Sequence, residues 1–539
     1  MKTQLLQPNN EGINTASALL KSGEVVGIPT ETVYGLAADA MNVDAIKKIY
    51  EAKGRPSDNP LIVHISKFEE LFGLVESIPQ CSKLLADKFW PGPLTMIFER
   101  KDTVPKEVAP NLNTVAVRMP SHPIARAVIE ASGTPLAAPS ANLSGSPSPT
   151  TASHVMNDMD GRIPAVLDGG ECEVGVESTV LFVANGKPRL LRPGGITVEQ
   201  IESVIGEIDI DPSVVSDVFT ENVASPGMKY KHYSPKAKVI VVDACSDVFA
   251  SYVNKYQNED NIYALCFDED IEKLNIPYLA VGSKDTQGDY AKALFSALRD
   301  LDDKGAKVIY AHCPDKSGIG LAVYNRLIRA AAFKVITPKP YCVLGLTGTT
   351  GAGKSTLSEH FKTLGGYIID CDIIARDVLQ RKDVIENIVS AFGDVLEDGK
   401  ICRKKLASVA FSSKENSLKL NSITHPAIID EIKSQLEMRE NLKTGLTVID
   451  APLLFEANLE KLCDVTLAVT ASKDVRLSRI MKRDNIDKES ALLRINVQND
   501  DSIYSQKATY TVINDGEENE FIFAADQIIN DIGVIINGK

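Results

Sequence analysis

Gly348-Thr349-Thr350-Gly351-Ala352-Gly353-Lys354-Ser355 fits the nucleotide phosphate loop, G-x-x-x-x-G-K-[ST], at every fixed position. Before it, Val343, Leu344, Gly345 and Leu346 read as a short apolar strand; after it, Leu357, Phe361 and Leu364 recur at helical spacing. Strand, glycine loop and helix in that order let the backbone pass close to phosphate oxygens. Its N–H groups then point inward, and the helix N-terminus adds a positive dipole. On this reading Gly348, Gly351, Ala352, Gly353 and Thr356 help cradle ATP. Lys354 reaches the β and γ phosphates, and Ser355 ligates Mg²⁺. The loop begins far down a chain of 539 residues, so a large upstream portion needs its own account.

At about 150 residues per domain, that length suggests three or four domains. Hydrophobic residues make up 44% and charged residues 24%, a globular balance that excludes global disorder. With 58 basic and 72 acidic side chains the formal charge is −14. This argues against bulk nonspecific nucleic-acid binding and leaves room only for a local basic groove. The nine cysteines form no C-x-x-C pair, so neither a zinc site nor a disulfide framework is expected. Residues 1–12, MKTQLLQPNNEG, have no signal-like apolar core, and no apolar run reaches membrane-spanning length. A reduced, soluble, cytoplasmic protein with no membrane partner is expected.

Three blocks are legible. The first, to about residue 210, alternates strand patterns (Val25–Ile28, Leu61–Ile65, Thr95–Phe98, Val115–Val117, Thr179–Val183) with helical stretches and tight Pro-Gly loops. Asp209 to Pro235 reads as a connector with short helical potential. The second block carries the buried-strand runs Val239–Val242, Ile262–Phe267, Tyr278–Val281 and Val308–Ala311, separated by helical patterns and closed by a helix over Leu321–Phe333. Thr337-Pro338-Lys339-Pro340 is a stiff boundary before the third block.

In the third block, Tyr367–Asp370 and Thr447–Asp450 read as strands ending in carboxylates, at the mouth of a parallel sheet where ligands bind. Asp370 and Asp372 suit either a catalytic base or Mg²⁺ contact, or equally the cap of the helix that follows. Arg476, Arg479 and Arg483 recur at helical spacing, either as a lid over phosphates or as a solvated face. Together these segments, with Ile373-Ile374-Ala375-Arg376, Thr424-His425-Pro426 and Pro452-Leu453-Leu454-Phe455-Glu456, resemble dephospho-CoA kinase from Leu344 onward. The resemblance implies transfer of the ATP γ-phosphoryl group to the ribose 3′-hydroxyl of dephospho-CoA. Asp372 is then the base, Lys354 and Arg479 the transition-state cations, and Arg376 and His425 part of the CoA-side surface. One position departs from the family. Three residues after the glutamine matched by Gln498, where arginine is common, stands Asp501, with Lys507 nearby as a substitute.

Upstream, Pro29-Thr30-Glu31-Thr32-Val33-Tyr34-Gly35 follows a strand, Lys53-Gly54-Arg55-Pro56 follows a helix, and Pro139-Ser140-Ala141-Asn142 follows an apolar run. Two cations flanking a glycine suit a phosphate clamp or plain surface charge. Lys53-x-Arg55 with Ser140-x-Asn142 resembles the paired signature of the YrdC-like threonylcarbamoyl-AMP synthases. Trp90-Pro91-Gly92-Pro93, Val176-Glu177-Ser178-Thr179 and Leu191-Arg192-Pro193-Gly194 also match. Ser225 to Pro235 and Ile319 to Arg326 match the long form of that family, with a linker and a further α/β domain.

The resemblance implies that L-threonine, bicarbonate and ATP give threonylcarbamoyl-AMP and pyrophosphate, with Mg²⁺ and cations as catalysts. The product passes to the tRNA threonylcarbamoyl transfer machinery, and a weak contact with tRNA or double-stranded RNA is expected. Lys53, Arg55, Ser140, Asn142 and Arg192 would hold ATP. Thr30, Tyr34, His64, Arg118 and Ser178 would hold threonine or its carbamate, although position on a strand alone makes His64 a structural histidine. Tyr230, Lys231, His232 and Tyr233 would gate the site. The implied fold is α/β and multidomain. It comprises a YrdC-like twisted α/β sheet (1–210), an active-site linker (211–236), a small Rossmann-like α/β domain (237–336) and a P-loop kinase with a parallel sheet and helical lid (341–539). The competing readings are an RNA-binding module without catalysis for the first half and another nucleotide kinase for the second.

Overall fold

The computed structural model describes residues 2–54, 56, 59–216, 233–440, 445–496 and 501–534. The chain divides into two compact units, Met1–Ile336 and Thr337–Lys539.

The first unit contains a mixed sheet. Its strands run in the order Gln4–Leu6, Ala165–Leu167, Val26–Ile28, Gly35–Asp39, Leu136–Ala137, Ile62–His64, Thr114–Arg118, Leu94–Glu99, Thr179–Phe182, Arg189–Arg192 and Asp209–Ile210. The expected strands fall within about two residues of these bounds, because each is a short apolar run buried on both faces. Register then places the chemistry. His64 pairs with Arg118, Arg118 with Thr95, and Leu94 with Thr179, so polar residues from four strands gather at one region of the sheet. A bridge between Gly35 and Ser140 brings the Ser140 loop to the same place. The helix Val43–Lys53 starts at Asn42, whose side chain accepts from the backbone N–H groups of Asp44 and Ala45. It stops at Gly54, whose φ of 60° is left-handed, so Lys53 is its last residue and is delivered buried.

A second, wholly parallel sheet in this unit has the order Tyr278–Ala280, Ile262–Cys266, Val308–His312, Lys238–Val242, Val335–Ile336. The helix expected over Leu321–Phe333 spans Gly320–Ala330. It ends early because Ala332 and Phe333 take left-handed φ values of 49° and 61°. Of the connector, Pro212–Val214 forms one turn of 3₁₀ helix, and residues 217–232 lie outside the described residues.

The helices Gln287–Asp303 and Gly320–Ala330 pack this second sheet onto the first. Arg299 makes a two-pronged bond to Asp158 (3.0 and 2.8 Å), and Thr150 Oγ1 lies 3.0 Å from Ser296 Oγ. At Gly175, where φ is +77°, a Cβ would stand 2.3 Å from Lys292 Cα. The backbones therefore meet without room for a side chain.

The second unit is a parallel sheet ordered Tyr367–Asp370, Gly445–Asp450, Tyr341–Gly348, Val465–Thr470, Tyr510–Ile513. The strand before the phosphate loop is central, which is why Cys342, Leu344 and Leu346 are fully buried. Helices Lys473–Asp484, Lys488–Asn496 and Asp501–Lys507 follow the fourth strand as the lid segment. The helix Lys414–Glu440 carries Pro426 inside it.

Gly175→Ala is expected to destabilise the first unit by about 1–3 kcal/mol through overpacking against Lys292. Urea unfolding checks this, and an unshifted midpoint would mean that the contact is not close-packed in solution.

Candidate active sites

In the first unit a cleft is lined by Thr30, Lys53, His64, Arg118, Ser140, Asn142, Ser178 and Arg192 among others. The family resemblance implied each of these, and the sheet register brings them together. Their charges are already fixed on protein oxygens. Lys53 Nζ donates to the carbonyls of Ser140 and Asn142, the latter at 2.8 Å. Ser140 Oγ donates to Asn142 Oδ1 at 2.6 Å, and Asn142 Nδ2 donates to the carbonyls of Leu143 and Ser146, both at 2.8 Å. Arg192 Nε and Nη2 donate to Ser178 O at 3.1 and 3.0 Å, and Nη2 also reaches Ser178 Oγ at 3.2 Å. Arg118 Nη1 donates to Thr32 Oγ1 at 2.9 Å, while Nη2 lies 2.6 Å from Glu31 Oε1 without hydrogen-bond alignment.

Burial alone would raise the Glu31 carboxyl, but the Arg118 guanidinium holds it below the ordinary range. His64 is the opposite case. Burial first, then Arg118, push its imidazole down to about 3, so it is neutral at physiological pH. Its Nδ1 lies 3.1 Å from the Ile62 carbonyl, an acceptor only. Nδ1 therefore carries the proton, and Nε2 offers a lone pair.

Two of the expected contacts are revised. Tyr34 does not line the cleft: its hydroxyl donates to Gly170 O at 2.7 Å and accepts from Gly169 N at 3.0 Å, bracing that turn instead. Thr30 lines the cleft, but its hydroxyl donates to Val33 O at 2.6 Å and so closes its own loop. Arg55, Gln498, Tyr230, Lys231 and His232 lie outside the described residues. Tyr233, the linker residue directly after the undescribed stretch, does line the cleft.

In the second unit the phosphate loop forms a cleft with Gly348, Gly351, Gly353, Lys354, Ser355, Thr356, Asp372, Arg479 and Arg483 on its walls. Ala352 is fully buried beneath it. Gly353 has a φ of +111°, and a Cβ there would meet Asn514 Nδ2 at 2.1 Å, so only glycine fits. Lys354 pairs with Asp450, whose other oxygen accepts from Ser358 Oγ at 2.6 Å. Burial lowers the Lys354 ammonium against the pull of Asp372 and Asp370.

The two aspartates separate by role. Asp370 caps the next helix, accepting from the N–H groups of Asp372 and Ile373 at 2.9 and 3.0 Å. Asp372 keeps its carboxylate on the cleft wall. Arg479 donates to Asn514 O and Oδ1 at 3.0 and 3.1 Å. Arg376 and His425 are not on this wall. Arg376 donates to Asp372 O, and its helix, Cys371–Asp377, packs against the helix that carries His425.

Residues 18–194 match the family described as Telomere recombination, residues 196–332 the C-terminal domain of threonylcarbamoyl-AMP synthase, and residues 342–520 dephospho-CoA kinase. The threonylcarbamoyl-AMP synthase of Pyrococcus abyssi is 45% identical over 328 residues, which is 60% of this chain and 95% of that protein. The dephospho-CoA kinase of Bacillus cereus is 43% identical over 179 residues, 32% of this chain and 88% of that protein. A crystal structure of P. abyssi Sua5 complexed with L-threonine aligns with a TM-score of 0.58 at 43% identity, covering 62% of this chain and 99% of that one. The chain belongs to both the threonylcarbamoyl-AMP synthase and dephospho-CoA kinase families. It is a fusion of two ATP-using transferases, as the motifs implied.

Glu31, Glu177 and Asp450 stand in the motifs and strand ends, but their roles as partners of Arg118, Arg326 and Lys354 appear only in the fold. Asp450 was visible as a carboxylate at a strand end, whereas its pairing with Lys354 was not. Asp501, the departure from the kinase family, accepts from Thr349 Oγ1 at 2.6 Å and from Arg476 Nη1 at 3.3 Å. Arg476 also donates to Thr350 O at 3.0 Å, so the aspartate ties the lid to the phosphate loop. Lys507 is not on the cleft wall, and its ammonium lies over the Phe455 ring. No helix among the described residues is long and apolar enough to cross a membrane, and all nine cysteines are free thiols.

Asp501→Ala is expected to lower the kinase kcat/KM for ATP by about tenfold, the equivalent of one charged hydrogen bond. An unchanged value in steady-state assays would remove the tie from the mechanism. His64 gives a stability prediction. Unfolded histidine titrates near 6.5, far above the folded value of about 3. Below about pH 6.5 the unfolded chain takes up a proton that the folded chain refuses, so stability is lost as pH falls, by about 1.4 kcal/mol per pH unit. His122 and His154, also lowered chiefly by burial, act in the same direction. Urea unfolding at about pH 7.5 and about pH 5.5 should show the loss, and His64→Gln should reduce it. An identical pH dependence in the variant would refute a neutral buried His64.

Proposed function

We propose that the synthase cleft holds ATP, L-threonine and bicarbonate together, and that the kinase cleft holds ATP facing dephospho-CoA. The convergence of Lys53, Ser140, Asn142 and Arg192 with Thr30, His64, Arg118 and Ser178 on one cleft is the observation that carries the first assignment. Threonine is favoured by the P. abyssi relative, whose structure contains it.

In the synthase, neutral His64 offers Nε2 to the threonine ammonium, and Arg118 faces its carboxylate. The ammonium releases one proton to solvent, and the amine nitrogen so freed bonds to the bicarbonate carbon as its C–OH bond breaks, with loss of water. A carbamate oxygen then attacks the α-phosphorus, whose bond to the bridging oxygen of pyrophosphate breaks. Charge grows on the α-phosphoryl oxygens and on the leaving group, which Lys53, Arg55 and Arg192 stabilise. Tyr34 and Thr30 keep the loop in shape. The product is a reactive mixed anhydride, suited to prompt use by the machinery that transfers the threonylcarbamoyl group to tRNA.

In the kinase, Asp372 accepts the proton of the ribose 3′-hydroxyl as its oxygen bonds to the γ-phosphorus. Lys354 and Arg479 balance charge on the transferred group, while Arg376 and His425 belong to the CoA-side surface. Ser355 and Asp372, both on the cleft wall, offer oxygen donors suited to Mg²⁺. Among the described residues no three acidic, thiol or imidazole groups converge, so the ion would be held largely by ATP phosphates. Mg²⁺ supplies charge neutralisation between phosphate oxygens when bound.

A non-catalytic RNA-binding role is disfavoured by burial. Lys53, Arg118 and Arg192 are 3%, 4% and 7% exposed, so these cations face the cleft and not a nucleic-acid surface. Free thiols throughout fit a reducing, cytoplasmic setting.

Both reactions are to be assayed on the purified full chain. Lys354→Ala is expected to lower dephospho-CoA phosphorylation by at least about 100-fold and to leave threonine- and bicarbonate-dependent pyrophosphate release intact; Lys53→Met is expected to do the reverse. Loss of both activities in either variant would sink the assignment of separate sites.

A further inference from the structure

Arg326 lies on the helix Gly320–Ala330, in the block beyond the linker, yet every bond it makes outside its own helix is to the synthase domain. It is completely buried. Nε donates to Glu177 Oε2 at 2.9 Å, and Nη1 donates to Pro193 O at 2.7 Å and to Asn325 Oδ1 at 3.0 Å. Glu177 is on the cleft wall beside Ser178, and Pro193 follows Arg192. These two segments already touch backbone to backbone: a Cβ on Gly194 would stand 2.3 Å from Glu177 O. Arg326 therefore bonds both segments at the junction where Arg192 grips Ser178.

The same guanidinium reaches the linker. Its carbon lies 5.6 Å from the centre of the Tyr233 ring, which stacks at 5.4 Å on Phe295 of the helix Gln287–Asp303. The helix that carries Arg326 is itself anchored. Asn325 Nδ2 donates to Val214 O at 2.7 Å, and Arg329 Nη2 donates to Ser213 O at 2.8 Å. Glu177 has a second partner in Ser148 Oγ at 2.5 Å. Burial would raise the Glu177 carboxyl, but Arg326 and Arg192 together hold it below the ordinary range. A buried carboxylate deprived of its cation is strongly destabilised, so the pair joins the two domains tightly.

We propose that Arg326 is a positioning residue of the synthase, through which the extension domain fixes the Arg192 loop, the Glu177–Ser178 segment and Tyr233 in one arrangement. It acts through these groups and does not itself line the cleft. The proposal gives the extension domain a place in the chemistry, and it rests on the synthase assignment made above.

The test uses the full chain with Arg326→Met and Arg326→Lys, with urea unfolding of the first unit as the control of folding and the kinase reaction of the same molecules as the control of enzyme concentration. Arg326→Met is expected to lower kcat/KM for threonine- and bicarbonate-dependent pyrophosphate release by about 100-fold, the scale of a small misplacement of reacting groups. Kinase activity should stay within about twofold. Lysine keeps a charge for Glu177 but lacks the planar fork that also reaches Pro193 O. Arg326→Lys should therefore recover part of the loss, with KM for ATP still raised. Glu177→Gln combined with Arg326→Met should be hardly worse than Arg326→Met alone, because the two act as one unit.

Wild-type kcat and KM in both single variants would overturn the proposal while leaving the synthase assignment standing. So would a lysine variant no better than methionine, or fully additive losses in the double variant. Absence of pyrophosphate release from the unmodified chain would instead overturn the synthase assignment, and this inference with it.

Discussion

A nucleotide triphosphate brings several negative charges into a cleft, and cations meant to meet it must be held in place before it arrives. Both units satisfy this constraint by seating their cations on their own oxygen atoms. Lys53 sits on the Ser140 and Asn142 carbonyls, Arg192 on Ser178, Arg118 beside Glu31, and Lys354 on Asp450. Each cation would otherwise be a buried charge without a partner, which costs more than most single contacts contribute. The partners also hold each side chain near one rotamer, so little entropy remains to be lost on binding. The sheet registers, the left-handed stop at Gly54 and the αL cap at Gly353 matter because they deliver these side chains to those acceptors.

The units differ in what faces the phosphate. In the proposed assignment the kinase meets phosphate with backbone N–H groups of a glycine loop, backed by a helix dipole, and adds Lys354 and Arg479. The synthase has no such loop and relies on side chains gathered from strands and loops far apart in sequence. This difference governs how much could be read from sequence. The kinase cradle is contiguous, so its fold and cleft were legible from Gly348 to Thr356. The synthase strands were equally legible, since short doubly buried runs are unmistakable. Its site was legible only through the resemblance, because Lys53 and Asn142 meet across 89 positions.

What remained hidden was mostly the direction of individual hydrogen bonds. Spacing leaves Asp370 and Asp372 equivalent; one turn of backbone makes the first a cap and leaves the second on the cleft wall. Spacing likewise places Tyr34 and Thr30 in the right loop without revealing that their hydroxyls close turns. The Glu177–Arg326 pair spans 149 positions and two domains, and nothing local marks either residue as the other's partner. The departure at Asp501 is a related case. Read alone it is a missing cation; in the fold it gathers Thr349 and Arg476 at the phosphate loop, so the lid contact is kept with the charge reversed.

The two chemistries share a co-substrate but not an intermediate. The synthase opens ATP at the α-phosphorus and releases pyrophosphate, whereas the kinase moves the γ-phosphoryl group and leaves ADP. Neither product is a substrate for the other reaction, so nothing in the chemistry requires the sites to communicate. The first unit is different in kind. There a carboxylate on the cleft wall takes its counter-charge from the neighbouring domain, and the cleft's linker residue stacks on that domain's helix. A domain that merely accompanied the synthase would not need to bury a fully desolvated arginine at the junction of its two ligand-facing loops. The cost of placing that charge there is offset by its bonds to Glu177 and to the Pro193 carbonyl, and those bonds hold the two loops in register, as the proposed positioning role requires.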